Sequence, residues 1–410
     1  MTIRIDARRM IPGRGEPVAD ATVIIEGRVI TYAGPTDEAP HTPSFSAYTT
    51  DVVMPGMWEA HAHFWGTASA NIESLVTHDP HVGVLRAAND VRILLEAGFT
   101  SVREVGGYGV YLSTAIEEGT ITGPTVYASG SILSQTGGHG DIHGLSIPHV
   151  DELFERHFGA PTLCDGPDAC RRLVRRQLRL GARVIKVCAS GGVMSQVDHP
   201  IHQQFSVEEL KAIVEEATRA DRIVAAHCHG KPGIMAALEA GCRTIEHGSY
   251  LDEEAAAAMV EAGAVLVPTR FIVQHLVDHG MEVGMPDYAY AKIVAIADLH
   301  FQAMQTAIAA GVTIATGTDI FVRSALGRNG RELGYLVEAG MKPLQAIEAA
   351  TANGPLTVGP QAPSSGQLMK GFDADVICVD ANPLDDIGVL AVPDHVTHVF
   401  KAGQIVKDGG

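Results

Sequence analysis

Short apolar runs alternate with longer amphipathic stretches through the middle of this 410-residue chain. Runs rich in β-branched residues, such as 184–187 and 244–246, are bounded by glycine and polar residues and predict strands. Stretches such as 207–220 and 253–262 predict helices. Repeated strand–helix units of this kind predict a parallel α/β barrel, whose chemistry lies at the carboxyl ends of its strands.

The two ends of the chain have a different pattern. Residues 21–30 predict two strands about a Glu-Gly turn, and residues 375–379 with 398–406 repeat that pattern near the other end. Both ends are therefore expected to be rich in β-structure, with no helical period between the strands of each pair.

Candidate metal ligands lie within or at the end of the central apolar runs. His61 and His63 follow the run 52–57 and a turn. In an extended segment, residues i and i+2 point to the same side, so both imidazoles can reach one ion. Four further candidates come later: Lys186, His227, His247 and Asp319.

Each candidate also has an ordinary structural interpretation. A His-x-His pair is a weak signal that also fits two polar loop residues, and a lysine in an apolar strand commonly extends its amine to solvent. His227 and His229 flank Cys228, so either could be a ligand; we favour His227 because it directly ends the run. Glu246 alternates away from the site and is interpreted as a supporting or buried structural acid.

Taken together, these residues carry a family resemblance. The order His-x-His, lysine, histidine, histidine, aspartate resembles that of the amidohydrolase superfamily of binuclear metal-dependent hydrolases. The segments 136–141, 189–195 and 245–248 resemble the branch that holds Xaa-Pro dipeptidase-like metallocarboxypeptidases and ochratoxinase-like amidases. The resemblance extends over nearly the whole chain.

The resemblance implies a distorted (β/α)8 TIM barrel with a small β-sandwich built from both termini. The implied domains are 1–54 for the N-terminal part of the sandwich, 55–360 for the barrel and 361–410 for the C-terminal part. The eight barrel strands are expected near 52–54, 100–103, 125–128, 184–187, 223–226, 244–246, 265–267 and 313–315.

It also implies a catalytic centre with two divalent metal ions, expected to be zinc, that hold a bridging hydroxide as the nucleophile. A lysine ammonium, with an ordinary pKa of about 10.4, would repel a cation. In this family the bridging lysine is carboxylated, which makes Lys186 an N6-carboxylysine. His61 and His63 are then assigned to the more buried metal and His227 and His247 to the other. Asp319 binds the buried metal and acts as general base, then acid.

The loops at the carboxyl ends of the strands predict an apolar pocket with a few polar or cationic groups. His139, in a glycine-rich loop, and His229 are predicted to hold a substrate carboxylate, with a loop-stabilising role as the alternative for His139. The other residues predicted to contact substrate are Trp65, Val193, Met194, Arg270 and Arg323. Phe64, Tyr108, Thr269, Phe271 and Phe321 lie in the same loops, where Phe64 and Phe271 equally fit packing of the barrel mouth.

Composition and charge further limit the expected class of protein and its partners. A net charge of −18 argues against nucleic-acid and anionic-membrane partners. The six cysteines show no zinc-finger or disulfide framework. The first residues lack the apolar segment of a signal peptide, and no run approaches the ~20 apolar residues of a membrane span, so a cytoplasmic location is expected. The family resemblance implies a homo-oligomer, with an octamer as the expected form.

The favoured function is hydrolysis of the amide bond of an N-acyl amino acid, a dipeptide or an ochratoxin-like substrate that carries a carboxylate. The first alternative is hydrolysis of a neutral xenobiotic amide, phenylurea or (thio)carbamate. A metal-binding protein without catalysis is the remote alternative, because every ligand position is filled. Deamination or isomerisation also occurs on this barrel, but the deaminases usually lack the lysine.

Overall fold

The computed structural model describes residues 2–42, 45–156 and 160–409. Its strands are β1 (Thr2–Met10), β2 (Val18–Glu26), β3 (Val29–Pro35), β4 (Ser46–Pro55), β5 (Met57–Ala62), β6 (Phe99–Glu104), β7 (Thr125–Ala128), β8 (Ile132–Ser134), β9 (Thr162–Leu163), β10 (Ile185–Cys188), β11 (Val224–Cys228), β12 (Thr244–His247), β13 (Val265–Val267), β14 (Thr313–Ile314), β15 (Val376–Val379), β16 (Val396–Lys401) and β17 (Gln404–Asp408).

The helices are α1 (Ser74–Thr77), α2 (Pro80–Glu96), α3 (Gly109–Glu117), α4 (Ile147–Arg156), α5 (Pro167–Leu180), α6 (Val207–Thr218), α7 (Lys231–Ala240), α8 (Glu253–Ala262), α9 (Arg270–His279), α10 (Asp287–Ala309), α11 (Arg331–Glu338) and α12 (Pro343–Ala350). Short 3-10 turns occur at Thr36–Glu38, Arg323–Ala325, Gly354–Gln361, Ile387–Ala391 and Pro393–His395.

Two parallel sheets form the barrel. One has the order β5-β6-β7, and the other has the order β14-β13-β12-β11-β10-β8-β9. The chain turns between β7 and β8 at Gly130, whose φ of 70° is in the left-handed region. The third barrel strand therefore pairs with β6 through its first part and with β10 through its second.

The barrel closes between its first and last strands. The backbone N–H of Ala60 donates to the carbonyl of Thr316 at 2.9 Å, and that of Asp319 donates to the carbonyl of His61 at 2.7 Å. A parallel bridge joins Ala62 to Ile320. This closure brings residues 258 positions apart in sequence, His61 and Asp319, side by side, and it confirms the predicted barrel.

One predicted barrel strand was wrong. Residues 52–54 belong to β4, which pairs with β1 and β15 in the terminal sheet, and the first barrel strand is β5. The two apolar runs are separated only by Pro55 and Gly56. A Cβ at Gly56 would lie 2.2 Å from Thr100 Oγ1, so the chain passes from one sheet to the other where glycine allows close contact. Pattern alone could not distinguish two adjacent buried strands.

The termini form the smaller β unit as expected, in a single mixed sheet of order β17-β16-β15-β4-β1-β2-β3. The edge strand β3 returns towards the segment before β15, where Ile30 N donates to Phe372 O at 2.9 Å. The sheet thus curls over an apolar core in which Ile5, Val23 and Phe400 are fully buried. Within the described residues, no helix is both long and apolar enough to cross a membrane.

Candidate metal centre

Six predicted ligands meet at the carboxyl ends of the barrel strands. Candidate ligand atoms of His61, His247 and Asp319 all lie within 4.8 Å of one another, as do those of His227, His229 and His247. His63 Nε2 lies 3.1 Å from Asp319 Oδ1. Lys186 lines the same cavity from β10.

Hydrogen bonds fix the tautomers of the first histidine pair. His61 Nδ1 lies 2.7 Å from a carboxylate oxygen of Glu246, and His63 Nδ1 lies 2.8 Å from the carbonyl oxygen of Gly106. Both partners only accept, so each Nδ1 carries the proton. The two Nε2 atoms then present lone pairs towards Asp319 Oδ1, at 3.6 and 3.1 Å. Electron-pair donors that face one another in this way fit a cation between them.

The other histidines are oriented in the same manner. His227 Nε2 lies 3.2 Å from the carbonyl oxygen of Gly191, which leaves Nδ1 as the ring nitrogen with a free lone pair. His247 Nδ1 lies 2.7 Å from the hydroxyl of Thr269. His229 Nδ1 lies 2.7 Å from the hydroxyl of Ser249. His229 is therefore held by a hydrogen bond just as His227 is. The geometry, like the sequence, allows either histidine to be the ligand.

Lys186 has no hydrogen-bond partner for its amine among the described residues, although it is only 2% exposed. Burial lowers the pKa of the Lys186 amine, while the nearby carboxylates of Glu246 and Asp319 act in the opposite direction. Buried polar groups are normally paired. An unpaired, desolvated amine beside four histidines and an aspartate therefore indicates that the site holds a further bound group.

Glu246 holds the floor of the site together. Its carboxylate accepts two hydrogen bonds from the guanidinium of Arg103, at 2.7 and 2.8 Å, as well as the bond from His61. All three side chains are buried. Burial opposes ionisation of Glu246, but Arg103, His61 and Lys186 together lower its pKa. Glu246 is a buried supporting acid, which agrees with the interpretation from strand alternation.

The ends of two ligand strands adopt uncommon backbone conformations. His247 has a φ of 69° and Asp319 a φ of 56°, and Thr269, which contacts His247, has a φ of 59°. Residues other than glycine rarely adopt this region, and such strain is concentrated at functional sites. Burial raises the pKa of Asp319, but His61, His63 and Lys186 outweigh it and keep the net pKa below the ordinary value.

A cavity with about 940 Å³ of empty space, including its open mouth, leads to this cluster. Among the residues predicted to contact substrate, His139, His229, Trp65, Val193 and Met194 line it, together with Phe321 from the same set of loops. The ring of Trp65 stacks on His63 with centroids 4.3 Å apart, and His139 stacks on His227 at the same spacing. Six aliphatic residues also line the cavity and are called the apolar wall here: Ile72, Leu75, Ile272, Val273, Leu276 and Ile293.

Two predicted substrate contacts need correction. Arg270 lies at the start of α9, but its guanidinium donates to Ala297 O and Gln274 Oε1 and faces a different surface cavity. Arg323 Nε lies 3.3 Å from Asp90 Oδ1. Neither arginine lines the central cavity. Their sequence positions follow barrel strands, but the helical turns that begin there direct both side chains outwards.

Other side chains from these loops have structural roles. Phe64 and Phe271 are 1% exposed and pack in hydrophobic cores. Thr269 orients His247, and Tyr108 packs beside the core of the barrel. The sequence left open whether Phe64 and Phe271 contact substrate or pack the barrel mouth. In the structure both side chains pack in hydrophobic cores.

Sequence reasoning missed several supporting residues, among them Arg103 and Glu59, and all six residues of the apolar wall. Glu59, one of the buried acids, accepts hydrogen bonds from the backbone N–H groups of His61 and Thr318, each at 2.9 Å, and from Asn329 Nδ2 at 2.7 Å. It ties the first and last ligand strands together. A charged residue two positions before His-x-His, inside an apolar strand, was the available signal. The wall gave no such signal, since its residues come from α1, α9, α10 and a loop.

The donor set fits divalent metal ions. Neutral imidazoles and a carboxylate suit zinc and similar ions. Burial lowers the pKa of His61 to about 4 and keeps the pKa values of His227 and His247 well below 6.5, so these rings are neutral at pH 7. The facing lone pairs at Asp319 fit a bound cation, and the buried amine of Lys186 has no partner among the described residues.

The fold and this cluster define a metal-dependent hydrolase of the TIM-barrel type. The sequence pattern of the Amidohydrolase family matches residues 52–406, and the chain belongs to that family. It is a hydrolase that acts on amide C–N bonds.

Proteins similar to this chain indicate which branch of the family it resembles. Ochratoxinase from Aspergillus niger is 47% identical over 99% of this chain and 87% of the relative. The crystal structure of A. niger ochratoxinase superposes with a TM-score of 0.92 at 45% identity, covering 100% of this chain and 96% of that one. A prolidase complexed with N-methylphosphonate-L-proline has a TM-score of 0.90 at 32% identity, with full coverage of both chains. A Xaa-Pro dipeptidase with methionine in its active site has a TM-score of 0.88 at 28% identity, covering 99% and 100%.

Proposed function

We propose that this protein is a binuclear amidohydrolase that cleaves the amide bond between an apolar acyl group and an amino acid with a free carboxylate. The observation that carries the proposal is the convergence of the predicted ligands around the buried, unpaired amine of Lys186, at the closed end of a cavity with an apolar wall. Similarity to ochratoxinase and to prolidase-like structures supports the same class.

The residues that would hold the metals are His61, His63 and Asp319 for one ion and His227 and His247 for the other, with Lys186 between them. Two divalent ions bound there would supply a nucleophilic hydroxide at neutral pH. Zinc is the expected ion because the donors are mainly imidazole nitrogens.

Lys186 is proposed to carry a carboxyl group on Nζ. Only the neutral amine adds to carbon dioxide, and burial lowers the pKa of Lys186, which increases the neutral fraction at pH 7. The resulting carbamate would replace an unpaired buried donor with two anionic oxygens. That change converts a residue that repels cations into a ligand for them.

Asp319 is the proposed proton carrier. Its carboxylate lies at the convergence of His61 and His63, and its lowered pKa keeps it ionised and able to accept a proton from the nucleophile. It can then return that proton to the nitrogen of the leaving amine. Because Asp319 N is held by the carbonyl of His61, the carboxylate has a fixed position for both transfers.

The substrate assignment depends on the contrast between two parts of the cavity. His139 and His229 supply ring nitrogens close to His227, with His227–His229 centroids 4.7 Å apart. They are the proposed partners of the substrate carboxylate. The apolar wall gives an aromatic or branched acyl group a surface to bury, at roughly 25 cal/mol per Å² of apolar area.

A substrate panel combined with metal analysis tests the proposal. The zinc-loaded enzyme is expected to bind two ions per chain and to cleave N-aroyl-L-phenylalanine more efficiently than its primary amide or N-acetyl-L-phenylalanine. Release of the acyl acid is measured, because it reports cleavage of the central amide only. Preference for a phenylurea or thiocarbamate over every carboxylate-bearing compound would support the neutral-substrate alternative instead.

A further inference from the structure

The segment 192–198, which follows the ligand strand β10, contains no helix or strand. Val193 and Met194 of this segment line the central cavity. Among the described residues, no hydrogen bond between backbone groups involves 192–198. Backbone groups that are not paired in a helix or a sheet need other partners when they are shielded from water. The position of this segment therefore depends on side chains that bind its peptide groups.

Two side chains of helix α10 bind four carbonyl groups of the segment. Lys292 Nζ donates to three of them at 3.2, 2.7 and 2.6 Å, which belong to Gly192, Ser195 and Asp198. Tyr288 Oη donates to the carbonyl of Met194 at 3.1 Å. An ammonium has three N–H groups, so the three carbonyls use all of them. The Lys292 side chain is only 18% exposed, so these hydrogen bonds are largely shielded from water.

The carboxylate of Asp198 holds the segment together from the inside. Its Oδ2 accepts from Gly192 N at 3.1 Å, and its Oδ1 accepts from the hydroxyl of Ser195. Lys292 Nζ lies 3.6 Å from the same Oδ1. The segment is therefore a closed loop, and its anchor on the rest of the protein is the ammonium on α10.

The loop continues the apolar wall of the cavity. Val193 belongs to one hydrophobic cluster with four wall residues, and Met194 packs against that cluster; the four are Ile272, Val273, Leu276 and Ile293. Ile293 follows Lys292 directly in the sequence. The same turn of α10 thus supplies a residue of the wall and the group that holds the loop against it.

We propose that Lys292, assisted by Tyr288, is a positioning residue that determines the preference of this enzyme for large apolar acyl groups. It holds loop 192–198 so that Val193 and Met194 extend the apolar wall. The inference rests on the proposed function, in which the wall binds the acyl group of the substrate.

The first test compares Lys292→Met with the metal-loaded parent enzyme on N-aroyl-L-phenylalanine and N-acetyl-L-phenylalanine. Methionine keeps the unbranched shape but has no N–H group. A loss equal to about one net hydrogen bond predicts a rise of roughly fivefold to tenfold in KM for the N-aroyl substrate. The KM for the N-acetyl substrate and both kcat values should change by less than about twofold. Metal content should not change, because Gly191, which contacts His227, is held separately by His202.

Two further variants grade the effect. Lys292→Arg keeps a charged donor and should recover part of the preference for the N-aroyl substrate. Tyr288→Phe removes a single neutral hydrogen bond and should raise the KM for that substrate by less than Lys292→Met does. An Arg variant as unselective as the Met variant would contradict a role for the donated hydrogen bonds.

Lys407→Met is the matched control. Lys407 also donates to backbone carbonyls, those of Glu96 and Pro393 at 3.1 and 2.8 Å, but it lies on β17 in the terminal sheet. Its variant loses the same kind of interaction without touching the cavity, so the ratio of the two substrates should stay that of the parent. If Lys292→Met impairs both substrates equally, Lys292 only supports the fold and the proposal is overturned.

Val193→Ala separates this inference from the proposed function. It should lower the preference for the N-aroyl substrate, and Lys292→Met added to it should have a smaller effect than in the parent. If Val193→Ala lowers the preference but Lys292→Met does not, only the present inference fails. If neither Val193→Ala nor Leu276→Ala alters the preference, the assignment of the acyl group to the wall fails, and this inference fails with it.

A third measurement needs no turnover. In hydrogen–deuterium exchange followed by mass spectrometry, peptides that cover 192–198 should exchange faster in Lys292→Met than in the parent or in Lys407→Met. Peptides that cover β11 and β12 should not differ among the three proteins. Exchange of 192–198 at the parent rate in Lys292→Met would show that the ammonium does not hold the loop, which would overturn the proposal.

Discussion

The two ends of the cavity are built in opposite ways. At the metal-binding end, each ligand histidine is fixed by a hydrogen bond to a second group: a carboxylate for His61, a backbone carbonyl for His63 and His227, and a hydroxyl for His247. At the other end, the wall side chains are all aliphatic and offer no hydrogen-bonding group. The first arrangement allows almost no rotation of a ring, whereas the second depends mainly on shape and volume.

From this difference we infer that the metal-binding end controls the reaction and that the wall controls which substrate is preferred. The metal-binding end lies on β5, β10, β11 and β12 and on the segment after β14, which the barrel ladder holds in register. The wall lies on α1, α9, α10 and loops, which can change without altering the barrel. A change at the metal-binding end should therefore affect turnover of every substrate, and a change in the wall should affect substrates unequally.

The largest effect is expected for Lys186→Ala. Removing the proposed bridging group should abolish metal binding and turnover together, and short carboxylates in the buffer should restore part of both by taking the place of the proposed carbamate. Metal analysis and activity are measured with and without acetate or propionate. Binding of two ions without Lys186 and without added acid would show that the lysine does not bridge.

Asp319→Asn should separate metal binding from catalysis. The amide oxygen can still act as a weak ligand, but it cannot take up a proton, so kcat should fall by about 10²- to 10⁴-fold while much of the metal is retained. Zinc content and single-turnover rates provide the measurement. Near-normal turnover would remove Asp319 from the proton transfer.

Thr269→Val tests whether the hydroxyl behind His247 matters. The variant keeps the β-branched shape at a residue with φ of 59°, but it removes the hydrogen bond to Nδ1. Loss of such a supporting group typically costs about 10- to 100-fold in metal affinity or activity. Thr269→Ser keeps the hydroxyl and should bind metal as the parent does. Equal metal affinity in the parent and both variants would show that the hydroxyl has no role.

The smallest effect is expected in the wall, for Leu276→Ala. Removing part of a leucine surface predicts a rise of roughly fivefold to thirtyfold in KM for an N-aroyl substrate, from about 1–2 kcal/mol of lost apolar contact. An N-acetyl substrate should change little, since its small acyl group does not reach the wall. Circular dichroism and thermal unfolding check that the variant is folded. A similar loss on both substrates would mean that the wall supports the fold rather than binding the acyl group.

The position of the candidate ligands could be predicted from the sequence because each of them ends or interrupts a short apolar strand. Parallel strands align their carboxyl ends, so local pattern alone brings His61, Lys186 and Asp319 to one face. The same local pattern identified the β-rich termini and the role of Glu246 as a buried supporting acid.

Tertiary structure decided what local pattern does not encode. Residues 52–54 and β5 are both apolar and extended, and only their pairing assigns them to different sheets. Arg270 and Arg323 follow barrel strands, yet the helical turns that begin there direct their charges away from the cavity. The apolar wall and the stacking of His139 on His227 join segments far apart in the chain, so they depend on packing between elements and not on the period of any one of them.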